Sequence, residues 1–116
     1  MPCDVTNPLL GPTGAAAVYG PQKGATPEQI PQLNQNIERV IRTYLKGLDG
    51  SEDRFATLKE TPSAGASGGI VGAFLALFGE RCSIVSGMDF VANLMDLREQ
   101  IGRSDLIITG EGSFDI

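Results

Sequence analysis

The chain of 116 residues contains no histidine and no tryptophan. Without histidine, it cannot form a Ser-His-Asp or Cys-His catalytic arrangement from its own residues. Its two cysteines, Cys3 and Cys82, form no C-x-x-C pair, which argues against a zinc site and is typical of a reduced, cytosolic protein. The net charge is −5 and the sequence has no basic run, so we expect no nucleic-acid partner.

Long apolar runs are also missing from the sequence. No stretch reaches membrane-spanning length, and the N-terminus lacks the charged and apolar regions of a signal peptide, so we expect a cytoplasmic protein with no membrane partner. The 15 glycines favour an α/β protein with sites built from backbone over a helical bundle. The length predicts a single, partial domain over residues 1–116 with no internal boundary.

The most informative stretch covers residues 61–79 and reads T-P-S-A-G-A-S-G-G-I-V-G-A-F-L-A-L-F-G. Small residues followed by an apolar run predict a flexible loop that enters a buried helix. The N–H groups at such a helix N-terminus suit an anion such as phosphate. Gly65, Gly68 and Gly69 would let a ligand approach the backbone closely. Alternatively, the glycines only allow tight helix packing, and the stretch matches neither the dinucleotide fingerprint nor the Walker A pattern.

A second pattern predicts an amphipathic helix that starts at Thr26, with Gln29 completing a capping box. Pro31 lies just inside this helix and predicts a distorted first turn, while Gly47 and Gly50 end the helix. Apolar residues at steps of three and four predict one buried face, formed by Ile30, Leu33, Ile37, Val40, Ile41, Tyr44 and Leu45.

The first 24 residues contain so many prolines and glycines that they predict loop, with one short helix over residues 14–19. Asp4, Asn7, Gln22 and Lys23 are the polar residues of this region. Asp4 is a candidate metal ligand or hydrogen-bond acceptor, and Lys23 is a candidate phosphate contact. The alternative for each of the four is a solvated loop residue, and Asn7, just before Pro8, is also a candidate for an Asx turn.

After the glycine-rich stretch, residues 81–85 predict a short strand and Ser86 predicts the N-cap of a helix. The spacing of the apolar residues on that helix predicts core packing for Met88, Val91, Leu94 and Met95. Residues 97–103 predict one more short helix.

The apolar residues 106–108 predict a fully buried strand of a parallel sheet. Ligands bind beyond the carboxyl ends of such strands, where Glu111 and Asp115 follow. Two carboxylates on one loop would suit Mg²⁺ through oxygen ligands and water. The alternative is a turn with two incidental acids.

Three stretches together resemble the type I glycerate kinase family. They are residues 3–28, which contain C-D-V-T-N-P-L-L-G and G-P-Q-K-G-A-T-P-E; residues 64–69, which read A-G-A-S-G-G; and residues 105–112, which read D-L-I-I-T-G-E-G, with Asp115 following. Their order and spacing both fit, and the resemblance covers nearly the whole chain.

This resemblance implies an enzyme that transfers the γ-phosphoryl group of ATP to a hydroxyl of D-glycerate with Mg²⁺. It also implies two α/β domains around a cleft, so we expect this chain to form a partial doubly wound sheet with helices packed around it. The residues that match the family motifs carry over as catalytic (Asp4, Lys23, Glu111), as substrate- or nucleotide-binding (Asn7, Gln22, Gly65, Gly68, Gly69) and as metal ligands (Asp115, Glu111).

Some features depart from the family pattern. Members run to several hundred residues, and this sequence resembles only an interior section of them. Ser63 replaces a usual glycine, Ser67 a common alanine and Ser113 a common basic residue. We therefore expect a glycerate kinase fragment that is inactive or nearly so by itself. The alternative is a non-catalytic truncated α/β module that retains an anion or nucleotide site or acts by association, and exposed surfaces would favour self-association.

Overall fold

A computed structural model describes residues 1–48 and 52–110 of the chain. These residues form α-helices and 3₁₀ turns that are joined by irregular segments. The α-helices are α1 (Ala15–Tyr19), α2 (Ile30–Lys46), α3 (Glu52–Glu60), α4 (Ala66–Phe78), α5 (Gly87–Leu94) and α6 (Leu97–Gly102). Single 3₁₀ turns lie at Pro21–Lys23, Pro27–Gln29 and Gly79–Arg81. Among the described residues, no helix has both the length and the apolar character needed to cross a membrane.

The core forms where α1, α2, α3 and α4 pack against one another, while α5 contacts α6. Leu9 lies at its centre with no exposed surface, although it comes from the loop before α1. The buried core cluster consists of Leu9, Ile41, Leu45, Phe55, Leu58, Ala64 and Ala76. The N-terminal loop is therefore part of the core and is held against the glycine-rich stretch.

The helix predicted to start at Thr26 has the predicted capping box and ends at Gly47, but its α-helical part, α2, begins only at Ile30. Gln29 Oε1 accepts a hydrogen bond from the backbone N–H of Thr26 at 2.9 Å, as a capping box requires. The distorted first turn is the 3₁₀ turn Pro27–Gln29, and the α-helix runs from Ile30 to Lys46 with Gly47 as its C-cap. Gly50 lies outside the described residues.

The predicted single buried face of α2 is only partly correct. Ile41 and Leu45 are buried, but Leu33, Val40 and Tyr44 are exposed. Helix spacing fixes which side chains share a face, whereas burial depends on which elements cover that face.

The predicted α/β fold with a partial doubly wound sheet is wrong for the described residues, which contain no strand. Their only β-pairing is one isolated parallel bridge between Pro2 and Val85. Of the predicted strand 81–85, Arg81 ends a 3₁₀ turn and Val85 takes part in the bridge. Residues 106–108 have no regular secondary structure, and Ile108 is 89% exposed. A strand needs the N–H and C=O groups of a neighbour, and the described chain provides no ladder partner for residues 106–108.

The helices at the ends of the chain match the predicted positions. Helix α1 occupies residues 15–19 of the predicted 14–19, and α6 covers 97–102 of the predicted 97–103. Ser86 caps α5, because its Oγ accepts a hydrogen bond from the Asp89 N–H at 3.1 Å.

Core packing by the apolar face of α5 is, however, a wrong prediction. All of its predicted core residues are exposed in the described chain, namely Met88, Val91, Leu94 and Met95. The spacing of these residues places them on one side of the helix, but burial also requires a neighbouring element, and no described element covers this side.

Candidate functional site

The glycine segment, residues 65–69, changes backbone handedness just before the regular part of α4. Ser67, Gly68 and Gly69 have φ values of 53°, 75° and 97°. The left-handed conformation costs an L-residue about 1–2 kcal/mol, so a run of three that includes a serine is unusual. Turns of this kind arrange successive backbone N–H groups around a concavity that suits an anion.

The glycines of this segment serve different purposes. A Cβ atom at Gly65 would lie 2.1 Å from the carbonyl oxygen of Pro8, and one at Gly69 would lie 3.1 Å from Leu9 Cδ1. Gly68 has φ +75° and would meet no atom within 4 Å. Close packing therefore explains Gly65 and much of Gly69, whereas Gly68 faces open space where a ligand would fit.

Asn7 links the N-terminal loop to the glycine segment. Its backbone oxygen accepts a hydrogen bond from the Gly65 N–H at 3.0 Å. Its side-chain Nδ2 donates to the carbonyl oxygen of Thr13 at 3.0 Å, and its Oδ1 accepts from the hydroxyl of Tyr19 at 2.6 Å. The polar atoms of this predicted binding residue are thus engaged within the protein, although Oδ1 retains a second lone pair.

Tyr19 is the site residue that sequence reasoning missed. It is the last residue of α1, where Ala15, Ala16, Ala17 and Val18 precede it. A tyrosine that ends so short and apolar a helix is the signal that would have drawn attention to its hydroxyl, because half-buried tyrosines usually find a hydrogen-bond partner.

A cavity of about 250 Å³ lies between α1, α2 and the glycine segment. Residues that line it include Ala16, Tyr19, Lys23, Asn36, Ile37 and Gly68. The structure therefore brings together Lys23 and Gly68, two of the residues that the sequence predicts for the site. A second cavity of about 520 Å³ shares Gly20, Lys23 and Leu33 with the first, so Lys23 borders both.

Lys23 is held at this border by the 3₁₀ turn Pro21–Lys23, which Gly24 closes with φ 91°. Its side chain is exposed, and within residues 1–48 and 52–110 it takes part in none of the ion pairs. An ammonium group in this position is available to an anionic ligand. Gln22 is exposed in the same turn but does not line either cavity.

Asp4 lies away from this cavity, against the start of α5. Its Oδ1 accepts hydrogen bonds from the backbone N–H groups of Gly87 at 2.8 Å and Met88 at 3.1 Å. Asp4 thus acts as a second cap on α5, and the structure does not bring it together with Lys23 or Gly68.

The metal-binding prediction concerns Glu111 and Asp115. Glu111 and Asp115 lie outside the described residues. In the part of the chain that the structure describes, no group of three or more acidic or cysteine side chains is arranged to hold a metal ion.

Comparisons with known proteins match nearly the whole length of this chain to glycerate kinases. The model of the glycerate kinase family matches residues 1–116. The chain is 39% identical over 113 residues to glycerate 2-kinase from Escherichia coli (strain K12), covering 97% of this chain and 28% of that protein. It is also 39% identical over 113 residues to glycerate kinase from Bacillus subtilis (strain 168), with the same coverage of 97% and 28%.

Among solved structures, the chain resembles the crystal structure of putative glycerate kinase 2 from Salmonella typhimurium LT2, with a TM-score of 0.70 and 38% identity. The match covers 98% of this chain and 28% of that one. The chain thus spans about 28% of the length of the relatives it matches. The family resemblance predicted from the three sequence stretches is confirmed, and the chain belongs to the glycerate kinase family.

Proposed function

We propose that this chain supplies an anion-binding wall to an enzyme that transfers the γ-phosphoryl group of ATP to a hydroxyl of D-glycerate. Family membership and the names of the relatives support this reaction class. The observation that carries the proposal is the left-handed run of Ser67, Gly68 and Gly69 beside a cavity that Lys23 and Gly68 both line.

Phosphoryl transfer depends mainly on positioning and on neutralising negative charge. ATP would supply the transferred group. The N–H groups of Gly65, Ala66 and Gly69 donate to backbone oxygens within the chain, so those of Ser67 and Gly68 would donate hydrogen bonds to phosphate or carboxylate oxygens. The absence of a Cβ at Gly68 would allow close approach. The ammonium of Lys23 would add a mobile positive charge at the same anion.

The other role assignments stay predictions. Asp4, Glu111 and Asp115 are predicted to bind Mg²⁺ or to orient the attacking hydroxyl, with the division among them left open. The hydrogen bonds of Asp4 to the start of α5 support a capping role for that residue instead. Asn7 and Gln22 are predicted to contact substrate or nucleotide. A cytoplasmic location is consistent with the use of ATP and is also part of the proposal.

Calorimetric titration of the purified chain with Mg-ATP, with and without D-glycerate, tests the site. We expect saturable binding in the wild type and an affinity lowered about tenfold by Lys23→Ala, since one charge-assisted contact contributes roughly 1.4 kcal/mol. Lys46→Ala is the matched control, because Lys46 is an exposed lysine at the end of α2 that lines neither cavity. Equal affinities in Lys23→Ala and Lys46→Ala would return Lys23 to the role of a solvated loop residue.

A non-catalytic module that binds an anion is the alternative, and it relies on the same glycine segment. Because the chain by itself is expected to be inactive in either case, the test places it in a full-length relative in exchange for the matching segment. Phosphoglycerate formation by that hybrid favours the kinase segment, and binding without turnover favours the module. Self-association is a further proposal, based on exposed apolar residues such as Phe74, Phe78, Leu94 and Met95. Sedimentation velocity over a range of protein concentrations tests it.

A further inference from the structure

Tyr19 borders the cavity of about 250 Å³ and also contacts Asn7, the residue that is hydrogen-bonded to the glycine segment. Its side chain lines the cavity together with Lys23 and Gly68. Its hydroxyl lies 2.6 Å from Asn7 Oδ1 in a partly buried hydrogen bond. Tyr19 therefore lines the cavity in which a ligand would bind and contacts the N-terminal loop that supports the glycine segment.

The direction of this hydrogen bond follows from the groups around Asn7. The carbonyl oxygen of Thr13 can only accept, so the side-chain nitrogen of Asn7 must face it, at 3.0 Å. Oδ1 then faces Tyr19, and the phenol hydroxyl must be the donor. The Asn7 side chain is thus fixed at both ends of its amide.

The backbone of Asn7 transmits this constraint to the glycine segment. Its oxygen accepts the hydrogen bond of the Gly65 N–H at 3.0 Å. At Gly65 a Cβ atom would lie 2.1 Å from the Pro8 oxygen, so the two backbones are in direct contact. A shift of Asn7 would therefore displace the first residue of the left-handed turn.

We propose that Tyr19 is a positioning residue: its hydroxyl fixes Asn7, and Asn7 holds Gly65 so that the turn at residues 67–69 is preformed for an anion. The hydroxyl acts through Asn7 and does not itself contact the ligand. The effect on binding rests on the proposed function, whereas the effect on Gly65 does not.

The first test needs no ligand. Hydrogen exchange at the Gly65 amide, measured by NMR, is compared between wild type, Tyr19→Phe and Tyr44→Phe. We expect about tenfold faster exchange in Tyr19→Phe, the effect of one lost hydrogen bond, and no change in Tyr44→Phe. Tyr44 is an exposed tyrosine of α2 that lines neither cavity, so it serves as the control. Unchanged Gly65 exchange in Tyr19→Phe overturns the proposal.

A second variant shows whether the hydroxyl acts through Asn7. Asn7→Ala should also accelerate exchange at Gly65, and Tyr19→Phe added to Asn7→Ala should accelerate it no further. Independent, additive effects of the two substitutions would overturn the proposed route. Cooperative unfolding of each variant in denaturant confirms that the comparison is made on folded chains.

The third test uses the ligand. Since the chain has no tryptophan and two tyrosines, its intrinsic fluorescence comes from Tyr19 and Tyr44. Binding of D-glycerate or inorganic phosphate should change this fluorescence in the wild type and in Tyr44→Phe, but not in Tyr19→Phe. Calorimetry on Tyr19→Phe should show several-fold weaker binding of Mg-ATP or D-glycerate.

These outcomes separate the two proposals. If the wild type binds neither Mg-ATP nor D-glycerate but Gly65 exchange is accelerated in Tyr19→Phe, the positioning role stands and the proposed function fails. If the wild type binds Mg-ATP or D-glycerate, and Tyr19→Phe has the same affinity and the same Gly65 exchange rate, the proposed function stands and the positioning role fails.

Discussion

Asp4 and Gly87 are 83 positions apart in the sequence, yet the Asp4 carboxylate accepts the Gly87 N–H at 2.8 Å. In this geometry a larger residue would displace the carboxylate, because a Cβ at Gly87 would lie 2.4 Å from Asp4 Oδ2. The carboxylate lies at the positive end of the α5 dipole, where an acidic group is stabilising. This pair, together with the bridge between Pro2 and Val85, attaches the N-terminal residues to the start of α5.

The first prediction concerns this cap. Asp4→Ala should lower the free energy of unfolding by about 1 kcal/mol, the usual effect of losing a capping side chain. Asp105→Ala, which removes an exposed acid, should change it little. Urea denaturation of both variants measures the difference. Equal effects would show that the hydrogen bonds of Asp4 do not stabilise α5.

Gly87→Ala extends this prediction to the partner of Asp4. The new methyl group should force the carboxylate away, so Gly87→Ala and Asp4→Ala should be non-additive when combined. Gly102→Ala is the matched control, since a Cβ there meets nothing within 4 Å. Additive losses would mean that Gly87 is needed for another reason.

The second prediction separates two glycines of the glycine segment, Gly65 and Gly68. Gly65→Ala should destabilise the chain by about 3 kcal/mol, because its methyl group would overlap the backbone oxygen of Pro8, which cannot rotate away. Gly68→Ala should lower the free energy of unfolding by only about 1–2 kcal/mol, because the backbone at residue 68 is left-handed but a methyl group there meets no other atom. Chemical denaturation measures both. A larger loss of stability in Gly68→Ala than in Gly65→Ala would contradict the conclusion that Gly65 is closely packed and Gly68 faces open space.

The third prediction concerns the backbone conformation of Ser63. Ser63 is buried and has φ 68°, a left-handed conformation that L-residues rarely adopt. Ser63→Gly should therefore stabilise the chain by about 1 kcal/mol, as measured by its denaturation midpoint. Ser83→Gly, at an exposed position outside the left-handed region, should give no such gain. A loss of stability in Ser63→Gly would show that its side chain contributes more than its backbone conformation costs.

The accuracy of the sequence predictions depends on the range of the interactions involved. The capping box of Thr26 and Gln29 and the N-cap at Ser86 involve residues three positions apart, so the sequence predicts them correctly. The residues 106–108 have an apolar pattern that fits a strand, but a strand exists only beside a partner, and the pattern carries no information about that partner.

The candidate site shows the same limit. Motif residues such as Lys23 and Gly68 could be selected from the sequence, and the fold brings them to one cavity. The role of Asp4 as a cap on α5 could not be predicted, since it depends on a residue more than 80 positions away. The link from Tyr19 through Asn7 to Gly65 likewise joins three separate segments that no local pattern relates.

The fourth prediction concerns pH. The hydroxyl of Thr26 and the backbone N–H of Glu28 donate to the Glu28 carboxylate and lower its pKa below the ordinary value. Because the folded-state pKa is lowered, this contribution to stability is present above the unfolded-state pKa and is lost as the pH falls through the folded-state pKa. Thr26→Val should raise the pKa of Glu28 toward its ordinary value, as followed by NMR titration of the side-chain carboxyl carbon. Thr43→Val should leave it unchanged, and an unshifted pKa in Thr26→Val would exclude the hydroxyl as the cause.

The fifth prediction concerns the C-terminal end of α4. Arg54 Nη2 donates to the carbonyl oxygens of Ala76 at 2.9 Å and Leu75 at 3.4 Å in a partly buried contact. These carbonyls belong to the last turn of α4, where the helix dipole favours a positive charge. Arg54→Met keeps most of the apolar stem but removes the donors, so it should lower the free energy of unfolding by about 2 kcal/mol. Arg98→Met, at an exposed position of α6, should have little effect on the urea midpoint, and equal shifts in the two variants would show that Arg54 does not stabilise this helix end.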